Sequence, residues 1–355
     1  MTLSPRHLLC LPGDGIGPEI MCATLAVLDA VTPILTRPIT LEHAEIGFAS
    51  LSTHGTTITN DVIARTKQAD GVILGPVSHN EYPPVDEGGL NPSGVLRKAL
   101  DLYANMRPAK SWHGLVPHNG KSIDVLVARE NIEGFYADRN MYEGNGEFMP
   151  VPGVALAIRR ITTEASRNIA LAAFEAAQRR PVKKVTAIHK ANVMRLSDGV
   201  FLDAVRAVAK FYPEITYDEV LIDAAAALLV REPERFDVIV TTNMFGDIIS
   251  DLASELSGSL GLAGSLNIGS KHVAAQAQHG SAPDIAGQDK ANPTSLILSL
   301  AMLLDHFGEA KAASNITTAI ATVLADPSSC TMDIGGTLGT TEFTTELIAY
   351  IKAKE

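Results

Sequence analysis

Short apolar runs alternate with amphipathic stretches along most of the 355-residue chain, and this alternation strongly constrains the fold. Residues 122–131, 183–192 and 236–243 are apolar runs that end in polar residues, whereas residues 162–180 and 197–212 have helical periodicity. Strands that alternate with helices predict an α/β protein with a largely parallel sheet. Because the chain is longer than one hydrophobic core usually supports, we expect two domains.

Charge and composition exclude several classes of function. The net charge of −11 argues against nucleic acid or an anionic membrane as the main partner. The N-terminal apolar run is too short for a signal peptide, and no window approaches about 18 uninterrupted apolar residues. The cysteines Cys10, Cys22 and Cys330 lack metal-binding spacing and favour a reducing compartment. We therefore expect a cytoplasmic protein that binds neither nucleic acid nor membrane.

Two aspartates stand four residues apart directly after an apolar run, in TTNMFGDIISDLASEL at residues 241–256. Asp247 alone would suit the first turn of a helix, but Asp251 lies one turn deeper among apolar residues. On a helix the two carboxylates share a face and repel each other, unless a divalent cation lies between them. Oxygen ligands favour Mg²⁺ or Mn²⁺ over Zn²⁺, so the spacing predicts a site for one of these ions.

Five further side chains could carry chemistry: Arg97, Arg107, Arg129, Lys190 and Tyr136. Of these, Arg129 and Lys190 stand at the ends of predicted strands. Arginine is suited to bidentate recognition of carboxylates, and open α/β sheets bind ligands beyond the carboxyl ends of their strands. Each arginine could instead pair with a nearby acid, but three at such positions favour an anionic substrate. The lysine could act as a base near other cations, and the tyrosine as a general acid or a core residue.

Two glycine-containing stretches have different implications for nucleotide binding. GDGIGPE, residues 13–19, lacks the G-x-G-x-x-G spacing, so it does not predict a Rossmann fold. HGSAPDIAGQDKANP, residues 279–293, is a long polar loop before a helix, and either an ordinary surface loop or a nucleotide site would fit it. Its Asp284 could accept hydrogen bonds from a ribose diol and would repel a 2′-phosphate, which favours NAD over NADP.

Six stretches together resemble one family: PGDGIGPE, LRKALDLYANMRPAK, RENIEGFY, HKANV, TTNMFGDIISDLAS and HGSAPDIAGQDKANP. They occur in this order in the isocitrate/isopropylmalate dehydrogenases, the metal-dependent β-decarboxylating dehydrogenases, and the resemblance spans nearly the whole chain. It implies an isopropylmalate-dehydrogenase-like two-domain α/β fold with a mixed, largely parallel sheet, not a Rossmann fold. Residues 1–105 and 258–355 would form the first domain and 106–257 the second, with a β-arm at about 137–162 in the interface of a homodimer.

The resemblance also implies roles for individual residues. Asp223, Asp247 and Asp251 would bind the metal, and Tyr136, Lys190 and Asp223 would act in catalysis, with Lys190 and Asp223 donated across the dimer. The substrate carboxylates would be bound by three arginines: Arg97, Arg107 and Arg129. The adenosine part of NAD would lie against the residues His279, Gly280, Ser281, Ala282, Asp284, Ile285 and Asn292.

The chain departs from the family pattern near the expected substrate. Isopropylmalate enzymes place leucines one turn before the first arginine, whereas Asn91 and Ser93 stand here, where isocitrate enzymes carry a serine and an asparagine. Both are expected to bind substrate, and they leave room for a polar or larger 3-substituent. Ala224 replaces a usual asparagine, and Gln276 replaces a usual glutamate near the nicotinamide. These changes indicate a different substrate or a lowered rate.

The resemblance implies NAD-dependent oxidative decarboxylation of a 3-substituted (2R)-malate, through a β-keto acid and an enolate. A 3-isopropylmalate-type substrate is the first expectation, because it is the most frequent activity of the family; isocitrate, homoisocitrate, tartrate and D-malate are the alternatives. A catalytically silent regulatory subunit is a second class, although such subunits usually lose catalytic residues that this chain keeps. A two-lobed solute-binding protein fits by size, but the lack of a signal peptide counts against it.

Overall fold

The computed structural model describes residues 4–136, 141, 144 and 146–353. Its main feature is a ten-stranded sheet with the order β2-β1-β3-β12-β11-β4-β5-β10-β8-β9, and β6 and β7 form a separate hairpin. The strands are β1 (Arg6–Leu11), β2 (Ile39–His43), β3 (Gly71–Leu74), β4 (Ala104–Lys110), β5 (Asp124–Glu130), β6 (Glu147–Val151), β7 (Val154–Ala157), β8 (Lys184–His189), β9 (Thr216–Leu221), β10 (Val238–Thr241), β11 (Leu266–Ile268) and β12 (Val273–Gln276).

Helices follow most of the strands, as the sequence pattern predicts. They are α1 (Gly17–Val31), α2 (Phe48–His54), α3 (Asn60–Gln68), α4 (Pro92–Ala99), α5 (Thr163–Gln178), α6 (Ser197–Ala209), α7 (Ile222–Arg231), α8 (Asn243–Ser257), α9 (Thr294–His306), α10 (Ala310–Leu324) and α11 (Thr340–Lys352). Six strand pairs are parallel, and the antiparallel pairs β12–β11, β11–β4 and β4–β5 lie together in the middle of the sheet. The predicted mixed, largely parallel α/β sheet is therefore confirmed.

Helices α1, α9, α10 and α11 pack together around a core that includes Leu8, Ile20 and Leu300. The window Gly17–Ile34 is long and apolar enough to cross a membrane by length and composition, but half of it is buried inside the fold. Val27 and Val31 on α1 are fully buried in that core. The apolar character of α1 is thus accounted for by packing against its neighbouring helices.

The segment expected to form an arm lies partly outside the described residues, because 137–140, 142–143 and 145 are not described. Its described part contains the antiparallel hairpin β6–β7, in which every residue is exposed. Phe148, Met149 and Leu156 on this hairpin are large apolar side chains in contact with solvent. The hairpin has the form expected of an arm, and its contact with a partner subunit stays a prediction.

Candidate active site

The register of three adjacent strands sets one row of polar side chains across the middle of the sheet. Asn267 on β11 pairs with Asn105 on β4, and Asn105 pairs with Arg129 on β5. Because side chains alternate between the faces of a strand, Arg107 lies on the same face as Asn105. All four are buried. The asparagine and arginine side chains on one face of these strands therefore form a polar surface near the ends of helices.

Asp247 forms hydrogen bonds with three of the other predicted site residues. It lies in α8, which begins directly after β10, and it accepts hydrogen bonds from Arg107 at 3.1 Å, from Arg129, and from Tyr136 at 3.4 Å. Burial acts to raise the pKa of the Asp247 carboxyl, but the charges of Arg129, Arg107 and Arg97 outweigh it and hold that pKa below its usual range. The carboxylate is thus kept ionised, as a metal ligand must be.

Both arginines beneath Asp247 are held by further contacts. Arg107 Nη1 also donates to Ser250 at 2.8 Å and to Asp251 at 3.2 Å, and burial followed by the charge of Arg129 lowers its pKa to about 10. Arg129 donates from Nε and Nη2 to Asn243 Oδ1, at 3.0 and 2.7 Å. A Cβ on Gly246 would lie 2.6 Å from Cγ of Arg129, which explains the glycine before Asp247.

Asp247 and Asp251 share one face of α8, as the spacing predicts, and Arg107 bridges them. Their side chains are 36% and 51% exposed, so the pair opens toward solvent rather than into a closed cage. Among the described residues, no group of three or more His, Cys, Asp or Glu side chains is arranged to hold a metal ion. Mg²⁺ is commonly held by one or two carboxylates together with water and substrate, so this donor set fits such an ion.

Lys190 and Asp223 form an ion pair of 2.6 Å at a different place. Lys190 follows β8, Asp223 lies in the first turn of α7, and their side chains are 25% and 65% exposed. The hydrogen bond from Lys190 lowers the pKa of the Asp223 carboxyl. Within the described part of the chain, no hydrogen bond or ion pair links this pair to Asp247 or Asp251. The described residues of a single copy therefore join the two groups by no direct polar contact.

The turn expected to contact the substrate's 3-substituent opens helix α4. Asn91 is its N-cap and accepts a hydrogen bond from the Gly94 backbone at 3.2 Å, so its side-chain oxygen has a structural role. Ser93 is buried and exchanges hydrogen bonds with the amide of Gln276, at 3.1 and 3.3 Å. Arg97, one turn later, donates to Gln276 Oε1 at 3.3 Å. Arg97 and Ser93, which lies in the turn expected to contact the substrate's 3-substituent, thus share Gln276 as a hydrogen-bond partner.

The glycine-rich turn near the N-terminus supports the polar loop at residues 279–293. Ile16 N donates to Ser281 O at 2.8 Å, and Ser78 and Ser281 hydroxyls lie 2.7 Å apart. Gly15 has a φ of +56°, and a Cβ there would lie 1.9 Å from Ser281 O. The sequence reasoning missed Asp14, which accepts hydrogen bonds from the Phe48 and Ser78 backbones and from the Tyr82 hydroxyl. A charged residue between two glycines was the available signal.

A cavity of about 220 Å³ lies under this loop. His279 Nδ1 lies 2.9 Å from Gly280 O, whereas its buried Nε2 has no hydrogen-bond partner. Burial lowers the pKa of His279, which favours the neutral imidazole. Asp284 is exposed in the same loop. An apolar cavity with an unsatisfied ring nitrogen fits a flat heteroaromatic group such as adenine. The residues that line the cavity include Ile16, His279, Gly280, Ala282, Ile285 and Asn292.

A larger cavity, of about 680 Å³, lies near the opposite face of the central strands. Its lining includes Met106 and Leu126, which alternate along β4 and β5 with the inward-facing Arg107 and Arg129. No predicted site residue lines this cavity. The chemistry-bearing side chains instead gather around Asp247 and around the polar loop.

Comparisons with known proteins identify the family of the chain. The model of the family described as isocitrate/isopropylmalate dehydrogenase matches residues 7–348. The 3-isopropylmalate dehydrogenase of Archaeoglobus fulgidus is 40% identical over 98% of this chain and 99% of that protein. The isocitrate/homoisocitrate dehydrogenase of Thermus thermophilus is 40% identical over 97% of this chain and 98% of that protein. The crystal structure of isocitrate dehydrogenase from Methylococcus capsulatus has a TM-score of 0.88 and 36% identity, and the match covers 98% and 99% of the two chains.

The fold and the matches define an oxidative decarboxylating dehydrogenase that acts on a hydroxy acid. More specifically, the chain belongs to the isocitrate/isopropylmalate dehydrogenase family, an NAD-linked, metal-dependent family of dehydrogenases. The family resemblance seen in the sequence is thereby confirmed. The relatives carry different substrate names, so the substrate of this chain is a separate question.

Proposed function

We propose that the chain catalyses NAD-dependent oxidative decarboxylation of a 3-substituted (2R)-malate, with Mg²⁺ or Mn²⁺ as the metal. The observation that carries this proposal is the convergence of Arg107, Arg129 and Tyr136 on Asp247, with Asp251 beside it. Arginines supply the charge that binds the substrate's carboxylates, and the two aspartates supply hard oxygen ligands. The protein would be a cytoplasmic enzyme.

The chain's own residues would divide the work as follows. Arg97, Arg107 and Arg129 bind and orient the substrate's carboxylates. The metal, held by Asp247 and Asp251, supplies Lewis-acid stabilisation of negative charge on oxygen. Lys190 takes the proton of the substrate hydroxyl while hydride leaves for NAD⁺, directly or through Asp223 or water. Tyr136 then returns a proton to carbon after CO₂ has left.

This division requires a second copy of the chain. Lys190 and Asp223 pair with each other at an exposed position, and the proposal is that they reach the Asp247 site of a partner subunit. The exposed hairpin β6–β7 would be the arm that contacts that partner. Residues 1–105 and 258–355 would form one domain and 106–257 the other, with the partner contacts on the second. The working form would be a homodimer with shared active sites.

NAD would bind over the cavity under the loop at residues 279–293. His279 Nε2 offers the adenine ring a hydrogen-bonding group, and Ile285 and Ala282 offer apolar surface. Gly280, Ser281 and Asn292 complete the loop, and Asp284 would accept hydrogen bonds from the ribose diol. A basic residue at this last position would instead be needed for a 2′-phosphate, so the proposal is NAD rather than NADP.

A silent regulatory subunit is the competing function, because one relative is an NAD isocitrate dehydrogenase regulatory subunit from Dictyostelium discoideum. It is 38% identical over 97% of this chain and 90% of that protein. The presence of Lys190, Tyr136, Asp247 and Asp251 in this chain favours an active enzyme. The expectation of a 3-isopropylmalate-type substrate stays a prediction.

The test combines a substrate panel with subunit mixing. Purified protein, NAD⁺ and Mn²⁺ are assayed for NADH formation on 3-isopropylmalate, isocitrate, homoisocitrate, tartrate and D-malate. Lys190→Ala and Asp247→Asn, each inactive alone, are then co-expressed. The mixture should recover about one quarter of the wild-type activity, because about half of the dimers are mixed and one of the two sites in each mixed dimer is intact. Turnover of no substrate on the panel would contradict the proposed reaction. Turnover by the wild type without recovery in the mixture would contradict shared sites.

A further inference from the structure

The backbone of Lys190 is bonded at both of its polar groups, although its side chain reaches toward solvent. Lys190 N donates to Asp198 Oδ2 at 2.5 Å, and Lys190 O accepts from the backbones of Val193 and Met194 at 3.0 and 2.9 Å. Asp198 lies in the first turn of α6, and its side chain is fully buried. The position of the proposed base therefore depends on a buried carboxylate on the next helix.

The carboxylate of Asp198 is held by Arg159, which follows the hairpin β6–β7 in the chain. Arg159 Nη1 forms an ion pair of 2.7 Å with Asp198 Oδ1, and the two side chains are 8% and 0% exposed. The same Nη1 donates to Ser197 Oγ at 2.6 Å. A buried carboxylate requires a paired charge, and a guanidinium presents its donors in one fixed plane. The ion pair therefore defines where the Asp198 side chain lies.

The guanidinium of Arg159 also contacts the helix that carries the predicted metal ligands. Its Nη2 donates at 3.1 Å to Thr242 Oγ1, and Thr242 is the N-cap of α8. Its central carbon lies 5.6 Å from the ring centre of Phe245 on α8 and 5.9 Å from that of Phe135. Cation–π contacts at this range are attractive, and more so where the cation is desolvated. Arg159 is thus fixed on several sides and connects Asp198 to α8.

We propose that Arg159 and Asp198 are positioning residues, which fix the backbone of Lys190 so that its amine reaches the proton of the substrate hydroxyl. The inference rests on the proposed function, in which Lys190 is the base, and adds two residues that act through Lys190 rather than on the substrate. Because displacement of a catalytic group by about 1 Å can cost about 100-fold in rate, a loosened anchor should slow the reaction without weakening the binding of substrate or NAD⁺.

The test is the variant Arg159→Lys, which keeps the positive charge but has one nitrogen where the guanidinium uses two. The panel substrate that wild type turns over fastest is used to measure kcat per NADH-binding site, both KM values and the affinity for Mn²⁺. We expect kcat per site to fall by about 10- to 100-fold, with KM and Mn²⁺ affinity within about twofold of wild type. An ion pair that served folding alone would lower the melting temperature and leave kcat per site unchanged, and that result would overturn the inference.

Arg160→Lys, the same change one residue later, is the matched control. The Arg160 side chain is 41% exposed and pairs with Glu133 at 3.5 Å, so this variant should behave as wild type. The double variant Arg159→Met/Asp198→Asn decides the matter if Arg159→Lys does not fold, because it removes both charges and leaves neither one unpaired. It should show the same loss of kcat per site, and a wild-type value would contradict the positioning role.

A second measurement shows whether the effect passes through Lys190. In the Lys190→Ala background, Arg159→Lys should lower the slow residual rate, measured with enzyme in excess, by less than about twofold, because the group that it positions is absent. An equal loss in both backgrounds would show that Arg159 acts elsewhere. A wild-type kcat in Lys190→Ala would contradict the proposed base. A large loss in Lys190→Ala together with an unchanged Arg159→Lys would contradict this inference alone.

Discussion

The two groups of residues proposed to form the active site are held by the single chain in opposite ways. Around Asp247, Arg107 and Arg129 are 6% and 2% exposed, and each makes several hydrogen bonds. Lys190 and Asp223, by contrast, are distant in sequence and form a solvent-exposed ion pair. The first group is fixed by strand register, and the second by the flexible side chains of a surface ion pair.

This difference indicates how stability and function are distributed. An exposed ion pair contributes about 0–1 kcal/mol to folding, whereas loss of one partner from a buried charge cluster leaves another charge uncompensated. Substitutions around Asp247 should therefore affect folding and activity together. Substitutions at Lys190 or Asp223 should affect activity and leave folding nearly unchanged.

The largest expected effect is that of Asp247→Asn. The change removes a metal ligand and the charge that Arg107 and Arg129 face, so Mn²⁺ binding should weaken and kcat/KM should fall on the order of 10³-fold or more. The free energy of unfolding should fall by about 1–2 kcal/mol, because the Asp247 side chain is partly exposed. Kinetics, Mn²⁺ titration and denaturant unfolding measure the three effects. Asp251→Asn is the control: it should weaken Mn²⁺ binding with a smaller loss of stability, and an equal loss would contradict the comparison.

Much of the fold and of the Asp247 site follows from local sequence signals. Apolar runs ending in Arg129, Lys190 and Thr241 predict strand ends, and the four-residue spacing of the aspartates predicts their shared helix face. The family resemblance then adds that the sheet is mixed, which the spacing of the strands alone does not determine. Features that depend only on local spacing and residue type can therefore be predicted from the sequence.

The remaining parts of the site depend on long-range register and could not be predicted in this way. Asn105 and Asn267 look like isolated polar residues in apolar strands, and their adjacency arises only when β11 pairs with β4. The Asp14 contacts with Tyr82 join segments separated by two strands and three α-helices. Buried polar residues within apolar runs were the available signal, since such residues need partners.

The second prediction concerns the exposed pair. Lys190→Ala should lower kcat by about 10²- to 10⁴-fold, because the proposed base is lost, while the melting temperature stays close to that of wild type. Steady-state kinetics and thermal unfolding measure the two effects. Lys184→Ala, at the other end of β8, is a matched control whose lysine pairs with Asp218. A stability loss in Lys190→Ala as large as in Asp247→Asn would break the comparison between the two groups.

Asp284 lies in an exposed loop, so its substitution, like that of Lys190 or Asp223, should affect function and leave folding nearly unchanged. Asp284→Lys should lower kcat/KM for NAD⁺ by about 10- to 100-fold, because the ribose diol loses its hydrogen-bond acceptor, and should raise use of NADP⁺. Cofactor kinetics at saturating substrate measure the change. Glu346→Lys, the same charge reversal on the exposed face of α11, should leave cofactor preference unaltered. An unchanged preference in Asp284→Lys would contradict the assigned role of the loop.

The smallest expected effect is on stability alone and comes from Glu130, next to Arg129 in the buried region. Burial raises the pKa of its carboxyl to about 7, against hydrogen bonds from the Ile132 and Glu133 backbones at 2.8 and 2.9 Å. Because the folded chain binds this proton more tightly than the unfolded chain, its contribution to stability falls as pH rises from about 4.5 to about 7 and is constant above.

Glu130→Gln removes this titration. Between those two pH values, the free energy of unfolding of wild type should therefore fall by on the order of 2 kcal/mol more than that of the variant. Denaturant unfolding at several pH values measures the slope, and the comparison uses slopes because the new amide also disturbs one backbone hydrogen bond at every pH. Asp223→Asn is the matched control from the exposed pair. The pKa of the Asp223 carboxyl lies below its usual range, so it does not titrate in this window and its variant should keep the wild-type slope. Parallel slopes in wild type and Glu130→Gln would show that the buried region carries no such pH-linked stability.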